Sequence, residues 1–400
     1  MSNWEWKKLG DVCEFQGGAQ PPKEEWIKEN RSGYIRMLQI RDFTQSRNFD
    51  IEYVKKTSKL RICNENDILL GRYGASVGKV LTGLSGAYNV AIVKTIPNSE
   101  YSKLFIKYYF QSPLFQTRLL NLCNQRTAQA GFNKEDIYDF PIPYISLNEQ
   151  KHVVKTLDEK FAKIDKLKTA AETNLKKAGA IFDAELKKEF NNKKWDSKKL
   201  NDLCELISGY AFDSKGYSSK NEDTLLVCGD NIMHCSFRWE TVKRWPKEKC
   251  YELKRFELKD SDIVLAMDRP WIKSGLKISK ITGNELPSLL VQRTAALRTT
   301  SHVSSDYLYY ALQEKKFSDY LIDQQTGSGV PHISGKQILN FQIPLPPLSV
   351  QKEIVARLDK LSENVKRLET NYKQIIANCD ELKKSILKKT FEGDSRSSRE

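Results

Sequence analysis

The sequence predicts an α+β protein with two similar globular domains and two long helices that form an antiparallel coiled coil. Three observations lead to this prediction. An internal repeat covers nearly all of the 400 residues, each half contains short apolar runs typical of β-strands, and each half ends in a long charged stretch with helical spacing. The repeat gives the chain an internal pseudo-two-fold organisation.

The repeat is clearest where each half begins. The opening W-x-x-K-K-L-x-D starts at Trp4 and returns at Trp195, a shift of 191 residues. The shift is 195 between Asp67-Ile-Leu-Leu and Asp262-Ile-Val-Leu, and it reaches 201 where Phe-Pro-Ile-Pro at 140–143 returns as Phe-Gln-Ile-Pro at 341–344. The two halves therefore share one frame but differ in their loops.

Each half begins with a mixed globular part. Gly and Pro separate its apolar runs, as they do where tight turns join strands. The predicted strands are Asp67–Leu70, Tyr88–Ile96, Thr224–Val227, Asp262–Met267 and Leu289–Leu297, and the predicted short helices are Tyr101–Gln111, restarting at Ser112-Pro113, and Asp306–Gln313. We therefore place one domain at 1–146, the first long helix at 147–193, a second domain at 194–346, the second long helix at 347–392 and a polar tail at 393–400.

The two long helices are expected to pair with each other. In the second helix, apolar residues alternate spacings of four and three, the seam of a coiled coil; they are Ile354, Leu358, Leu361, Val365, Leu368, Tyr372, Ile375, Cys379, Leu382 and Ile386. The first is looser and is interrupted by Lys168. The equivalent positions are Leu157 and Leu358, Ile164 and Val365, Ala171 and Tyr372, and Ala178 and Cys379.

Small residues on one helix can accommodate larger ones on the other, so we expect an antiparallel pair with the two domains at its opposite ends. Alternatively, each helix folds back on its own domain or pairs with another protein, because such stripes are common.

Charge favours a polyanionic partner. The formal net charge is +14 and the pI is about 9.2, and excess Lys and Arg speed encounters with phosphate groups. No apolar run approaches the roughly 20 residues that cross a bilayer, and the first residues lack the apolar core of a signal peptide. Nucleic acid is therefore favoured over membrane, and we expect a cytoplasmic protein.

Polar loops after matched strands are the candidate DNA-binding sites. Gly allows close backbone approach, Arg binds guanine with two hydrogen bonds, and Lys or Ser can hold phosphate. The candidates in the first domain are Arg72, Tyr73, Ser76, Lys79, Asn89, Arg126, Gln129, Asn133 and Lys134. Those in the second are Arg269, Trp271, Lys273, Ser274, Arg293, Gln325, Thr326 and Ser328. Any single one can instead be a solvated turn residue, and Tyr88, Phe132 and Trp271 can equally be core aromatics.

Catalytic motifs are missing from the sequence. Gly74-Ala-Ser-Val-Gly-Lys79 is one residue short of a P-loop, and Val80 replaces its hydroxyl residue. Neither N-P-P-Y nor D-P-P-Y, the motifs of amino-methyltransferases, occurs, and the Cys and His residues lack metal-ligand spacing. Asp67 and Asp262 recur at matched strand starts and are interpreted as structural. We therefore expect neither a catalytic centre nor a metal site.

The chain resembles the specificity subunits of type I restriction–modification systems. The resemblance covers the whole chain and rests on the repeated opening, on the exits Phe140-Pro-Ile-Pro…Leu147-Asn-Glu-Gln-Lys151 and Phe341-Gln-Ile-Pro…Leu348-Ser-Val-Gln-Lys352, and on the closings Leu186-Lys-Lys-Glu-Phe190 and Leu387-Lys-Lys-Thr-Phe391. R-Y-G-A-S-x-G-K, A-Y-N-V-A and Q-A-G-F-N-K also look like one recurrent class of recognition domain.

The resemblance implies a division of labour. Each target-recognition domain would read one half of a split, asymmetric DNA site, while the helices set the gap and dock two modification subunits. Those partners would hold S-adenosylmethionine, and restriction subunits using ATP and Mg²⁺ would complete the nuclease; no cofactor is expected in this chain. A free-standing DNA-binding or scaffolding protein, and an enzyme, are the alternatives.

Overall fold

The computed structural model describes residues 4–45, 50–125, 131–191, 194–324 and 331–392. The chain folds as two compact units. The first unit is Met1–Glu172 with Gln374–Glu400, and the second unit is Thr173–Lys373. Each long helix therefore contributes residues to both units. The boundaries predicted above are defined by chain segments rather than by contacts, and they stay a prediction.

Short strands make up the sheets of the first unit. They are β1 (Glu5–Lys8), β2 (Cys13–Gly17), β3 (Tyr34–Leu38), β4 (Tyr53–Lys55), β5 (Ile62–Cys63), β6 (Ile68–Gly71), β7 (Val80–Leu81), β8 (Gly86–Tyr88), β9 (Ile92–Pro97) and β10 (Pro141–Tyr144). An antiparallel sheet has the order β2-β9-β6-β7, a mixed sheet has the order β4-β3-β8-β5, and β1 pairs with β10.

The second unit repeats this plan. Its strands are β11 (Ser197–Lys199), β12 (Cys204–Ser208), β13 (Thr224–Val227), β14 (Lys243–Trp245), β15 (Ile263–Ala266), β16 (Trp271–Ile272), β17 (Gly275–Leu276), β18 (Ile278–Lys280), β19 (Ser288–Leu290), β20 (Thr294–Thr299) and β21 (Gln342–Pro344). The sheets have the orders β12-β20-β15-β18, β14-β13-β19, β11-β21 and β16-β17. The order β12-β20-β15-β18 reproduces β2-β9-β6-β7, which confirms the repeat as one frame used twice.

Helices complete both units. In chain order they are α1 (Leu9–Val12), α2 (Ile40–Thr44), α3 (Lys103–Gln111), α4 (Pro113–Asn124), α5 (Leu147–Phe190), α6 (Ser305–Gln313), α7 (Lys315–Gln324), α8 (Gly335–Asn340) and α9 (Leu348–Glu392). The restart predicted at Ser112 is confirmed: its hydroxyl accepts a hydrogen bond from the Phe115 amide, and Pro113 occupies the first helical position. Among the helices of the described ranges, none is both long and apolar enough to span a bilayer.

Two strand predictions are wrong in one respect. The runs Tyr88–Ile96 and Leu289–Leu297 were each expected to be a single strand. Each run instead ends one strand and begins another in a different sheet, β8 then β9 and β19 then β20. In the first unit the turn between them is held by Asn89, whose side chain accepts a hydrogen bond from the Ala91 amide at 3.2 Å. An apolar run buried in two sheets has no period that marks such a turn.

The core of each unit is completed by the last turn of a long helix. In the first unit, Phe391 lies 5.3 Å from the ring of Phe105 and 5.9 Å from that of Tyr109. In the second unit, Phe190 lies 5.1 Å from the ring of Tyr307. All five side chains are buried. The repeated closing motif is therefore a core element: its Phe seals the unit that the helix end reaches.

A buried glutamine fixes the start of each long helix to its own unit. Gln150 accepts a hydrogen bond from the Ser102 amide at 2.8 Å and donates to the carbonyls of Glu100 and Ile145. Gln351 makes the same contacts with Ser304, His302 and Pro346. Both side chains are fully buried, so their amides are satisfied by the protein alone. The Gln of the exit motif therefore joins helix and sheet.

The two long helices pair antiparallel in each unit. In the first, Lys168 Nζ lies 2.7 Å from Asp380 Oδ1, and Lys383 Nζ lies 2.5 Å from Asp165 Oδ1. In the second, Arg357 lies 2.7 Å from Glu189. As the residue numbers rise along α5, the numbers of their partners on α9 fall, which is the pattern of an antiparallel pair. Lys168, which interrupts the apolar pattern, thus forms an ion pair.

The predicted pairing positions lie on the covered faces. Leu157, Ile164, Ala171, Ala178, Leu358, Val365 and Cys379 are buried, and Tyr372 is half-buried. The wider seam predicted for α9 is wrong at Leu368 and Leu382, which are 38% and 49% exposed. Helices that approach across small residues such as Ala171 and Ala178 bury one line of side chains, and the flanking leucines stay in solvent.

Two aspartates at matched strand starts lie in buried ion pairs. Asp67 lies 2.7 Å from Lys94 Nζ and 2.6 Å from Lys103 Nζ, and it accepts from the Asn64 amide. Asp262 pairs with Arg298 at 2.7 Å and accepts from the Lys259 amide. Burial alone would raise the pKa of Asp67, but these partners lower it to about 2. The two carboxylates are structural, as interpreted from the sequence.

Replacing Asp67 with Asn should destabilise the first unit by about 2 kcal/mol at pH 7, because the ionised carboxylate is favoured in the fold. Its pKa is lowered from 3.8 to about 2, so this stabilisation is present above pH 4 and is lost as the pH falls towards 2. Denaturant unfolding should show a smaller difference in the free energy of unfolding between wild type and variant at pH 3 than at pH 7. Asp139→Asn, at a side chain that is 81% exposed, is the control. A gap of constant size would contradict the prediction.

Candidate nucleic-acid interface

In the first unit, Arg72 leaves β6 and is held on two sides. Its Nε donates to the Phe132 carbonyl at 3.3 Å, and a terminal nitrogen donates to Asn133 Oδ1 at 3.2 Å. Its guanidinium carbon lies 5.1 Å from the centre of the Tyr73 ring. The Asn133 amide donates a hydrogen bond at 2.6 Å to the carboxylate of Asp136, in the short helical turn Lys134–Ile137 that follows. Arg72, Tyr73 and Asn133, singled out separately in the sequence, therefore form one cluster.

The remaining described candidates of this unit lie around that cluster or serve the fold. Ser76 ends the turn Gly74–Ser76, while Lys79 and Lys134 are exposed. Asn89 is half-buried and holds its turn, so it has a structural contact of its own. Phe132 and Tyr88 are buried core aromatics. Arg126 and Gln129 lie outside the described residues.

The second unit carries a basic cleft at the corresponding end of its sheet. The Asp268 cleft, of about 470 Å³, is lined by Cys228, Gly229, Asp230, Lys243, Asp268, Arg269, Lys277, Gln292, Arg293 and His332. Lys277 donates to the Gly229 carbonyl at 3.1 Å, which fixes one wall. Two predicted candidates, Arg269 and Arg293, share the cleft although they leave different strands. It is open to solvent and rich in cations, as a phosphate or base-edge site requires.

Asp268 binds Arg293 and His332 inside this cleft. Its carboxylate forms an ion pair with Arg293 and a hydrogen bond with Nδ1 of His332. The Asp268 side chain is 17% exposed, whereas those of Arg293 and His332 are 71% and 44% exposed. Burial alone would raise the pKa of Asp268, but the hydrogen bonds from His332 and Arg293 lower it. The cleft therefore holds a carboxylate with a cationic group at the surface.

The two units fill equivalent positions with different chemistry. Tyr73 bridges to Gly131 in the first unit, and Asp268 bridges to His332 in the second. A Cβ at Gly131 would lie 2.5 Å from Cδ1 of Tyr73, so the large ring requires glycine opposite it. The smaller Asp268 leaves room for an imidazole. One backbone bridge thus presents an aromatic ring in one unit and an acid–imidazole pair in the other.

Arg269 occupies the place of Gly74. Both follow the bridge residue, and both have left-handed backbones, with φ of 46° and 57°. Arg293 is also left-handed, with φ of 65°. The left-handed region costs a residue with a Cβ on the order of 1 kcal/mol, and such strain concentrates at functional sites. Arg72 and Arg269 are therefore not equivalent positions of the repeat. The strand registers make Met267 the equivalent of Arg72.

The other candidates of the second unit lie apart from the Asp268 cleft. Trp271 packs against the core, and with Ser274 it lines a different cleft, of about 490 Å³. Lys273 is exposed on the turn between β16 and β17. Gln325, Thr326 and Ser328 lie outside the described residues. The hairpin β16–β17 carries the chain away from the cleft, which a linear loop prediction does not anticipate.

Sequence reasoning missed Asp268 and His332 as site residues. The repeat contained a signal for both. His332 stands 201 residues after Gly131, and the bridge from that position leads to Asp268. Lys243 and Lys277 carried no such signal, because they come from segments distant in sequence.

Arg269→Gly should be more stable than Arg269→Ala by about 1 kcal/mol, since glycine adopts the left-handed backbone without strain. Both variants should lose the same DNA affinity, because both lose the guanidinium group. Thermal denaturation and a DNA-binding titration measure the two effects. Gly74→Ala is the mirror control: nothing lies within 4 Å of the added Cβ, so only backbone strain should destabilise it. Equal stability of the two Arg269 variants would refute the strain argument.

Comparison with known proteins identifies relatives over the whole chain. The family model of the type I restriction modification DNA specificity domain matches residues 1–177 and again 192–377. The MjaVIII specificity subunit of Methanocaldococcus jannaschii is 27% identical over 412 residues, which cover 98% of this chain and 93% of that protein. The EcoAI specificity subunit of Escherichia coli is 34% identical over 175 residues, covering 44% of this chain and 29% of that protein.

Solved structures share the fold at lower identity. A chain from work on complex assembly and conformational transition of the type I R-M system gives a TM-score of 0.77 at 19% identity, covering 98% of this chain and 99% of its own length. The HsdS subunit of Thermoanaerobacter tengcongensis gives a TM-score of 0.54 at 19% identity, covering 98% and 97%. The two matches of the family model, like the two frames of the structure, fall one in each half of the chain.

Proposed function

The chain belongs to the family of type I restriction–modification specificity subunits, and from this premise we propose that it reads a DNA target in two halves, one per globular domain. One observation carries the proposal. The two domains share a sheet order and a bridge position, yet present Tyr73 with Gly131 in one and Asp268 with His332 in the other. One frame that carries two different sets of residues at its open end is what reading two different half-sites requires.

The electrostatics support a DNA partner. The net charge is +14, and the Asp268 cleft collects cations from several segments of the second domain. Lys and Arg that bind phosphates release counterions from the DNA. This release stabilises the complex and makes the binding affinity depend on the salt concentration. We propose that the exposed cations contact the DNA backbone and that arginines held by neighbouring groups read base edges.

We further propose that the paired helices dock two modification subunits, and that restriction subunits join them. S-adenosylmethionine would bind to the modification subunits, and ATP with Mg²⁺ to the restriction subunits. The chain itself would supply recognition rather than chemistry. Methyl transfer by the pure chain would contradict this assignment.

Replacing residues 1–146 with an unrelated recognition domain of the family should alter one half-site and leave the other intact. The physical reason is that each domain has its own core and its own polar loops. Sequencing of methylated genomic DNA from cells that express the hybrid shows which half changes. The reciprocal hybrid at 194–346 should alter only the other half. A change in both halves, in either hybrid, would show that the domains do not read independently.

Helix length should set the distance between the half-sites. A heptad inserted in each helix, near Ala171 and Tyr372, adds about 10.5 Å, or roughly three base pairs, and keeps the pairing register. The best spacer in a library of half-sites at every short separation should lengthen. The matched control, two residues inserted in α5 alone, should weaken binding at all spacers because it breaks the register. An unchanged optimum in the heptad variant would show that the helices do not set the spacing.

A further inference from the structure

The Asp268 cleft contains an acidic group where a DNA-binding surface gains from cations. A carboxylate that faces DNA repels phosphates, so a compensating role is expected for it. Asp268 contacts neither Lys243 nor Lys277, the lysines of the cleft, through any described ion pair; its described partners are Arg293 and His332. Its selective contacts indicate a role in orienting those two side chains.

Resting on the proposed DNA-reading function, we propose that Asp268 is a positioning residue that fixes Arg293 to read a guanine in the half-site of the second domain. Arg293 is 71% exposed, and an exposed arginine ordinarily samples many rotamers. The ion pair to a carboxylate only 17% exposed holds one terminal nitrogen, Nη1, and no other side-chain hydrogen bond of this guanidinium is found among the described residues. A guanidinium held in this way can donate two parallel hydrogen bonds to O6 and N7 of guanine.

The backbone of Arg293 supports the same role. Its φ of 65° is in the left-handed region, and its carbonyl accepts from the Met267 amide at 2.9 Å, one residue before Asp268. The strained conformation is therefore tied to the strand end that carries Asp268. Strain of this kind persists where the surroundings enforce it. Here the strained backbone fixes the position from which the Arg293 side chain extends.

The first domain reaches the same result with other residues. Arg72 is held there by the Phe132 carbonyl and by Asn133, both neutral acceptors. By strand register Arg72 corresponds to Met267 and Arg293 to Ala91, so the two domains supply the arginine from different strands. Each domain thus presents an arginine with a fixed guanidinium beside the equivalent bridge, and among the described contacts a charged group holds it in the second domain but not in the first.

The test compares three substitutions in the full chain assembled with its methyltransferase partner, by selection from DNA in which both half-sites are randomised. Arg293→Lys keeps the charge but loses the two-pronged donor, and should reduce the preference for guanine at one position by about 10-fold or more. Asp268→Asn should reduce the preference at that same position several-fold, while binding to random DNA strengthens because a negative charge is lost. In an Arg293→Ala background, Asp268→Asn should have no further effect on that preference.

Asp230→Asn is the matched control. Asp230 lines the same cleft and is exposed, and no described ion pair joins it to Arg293. Its removal should strengthen binding to random DNA in the same way and leave base preference unchanged. The first half-site, read in the same selection, reports whether each variant is folded and assembled.

Three results would overturn the inference while the proposed function stands. The first is an unchanged base preference in Asp268→Asn, and the second is an equal loss from that substitution with and without Arg293. The third is a second half-site in which no guanine responds to Arg293→Lys. Failure of the proposed function looks different: the unsubstituted protein would show no base preference in either half-site.

Discussion

The fold depends on the way each globular core is closed by residues from both long helices. Phe391 and Leu387 lie in the core of the first unit, and Phe190 and Leu186 in that of the second. Burial of a large aromatic side chain stabilises a fold by roughly 2–3 kcal/mol, so neither unit is complete without a helix end. The buried amides of Gln150 and Gln351 fix the other ends. A movement of either helix therefore has to break core contacts.

This construction separates the frame from the surface that it presents. The order of the four-stranded antiparallel sheet and the glutamine contacts are the same in both units, and each unit holds a buried aspartate in an ion pair, because these contacts satisfy buried groups that would otherwise be costly. The bridge at the end of the sheet is not one of these contacts. Tyr73 with Gly131 in the first unit is replaced there by Asp268 with His332 in the second, while the order of the antiparallel sheet is the same. A protein that must read different sequences gains from this arrangement, since recognition changes while stability does not.

The charged residues also differ between the frame and the surface that it presents. The carboxylates of Asp67 and Asp262 lie at the base of the sheet, where lysine or arginine neutralises them. The net charge of +14 leaves cations in excess for the exposed loops. Asp268 departs from this pattern, because it lies among the cations of the cleft. The net charge favours a polyanionic partner, but it gives no indication of an acid inside the cleft.

The sequence by itself determined the repeat, the α+β class, the long helices and the family, because hydrophobic period and repeated motifs are local properties of the chain. It also located Arg72, Asn133 and Arg293 as candidates, since polar residues beside apolar runs stand out. It failed where groups meet across the fold. The split of Tyr88–Ile96 between two sheets, the exposure of Leu368, and the meeting of Asp268 with Arg293 and His332 depend on which strand ends lie side by side. Only the tertiary structure decides such neighbours, because residues 25 and 64 positions apart in sequence come into contact through the sheet.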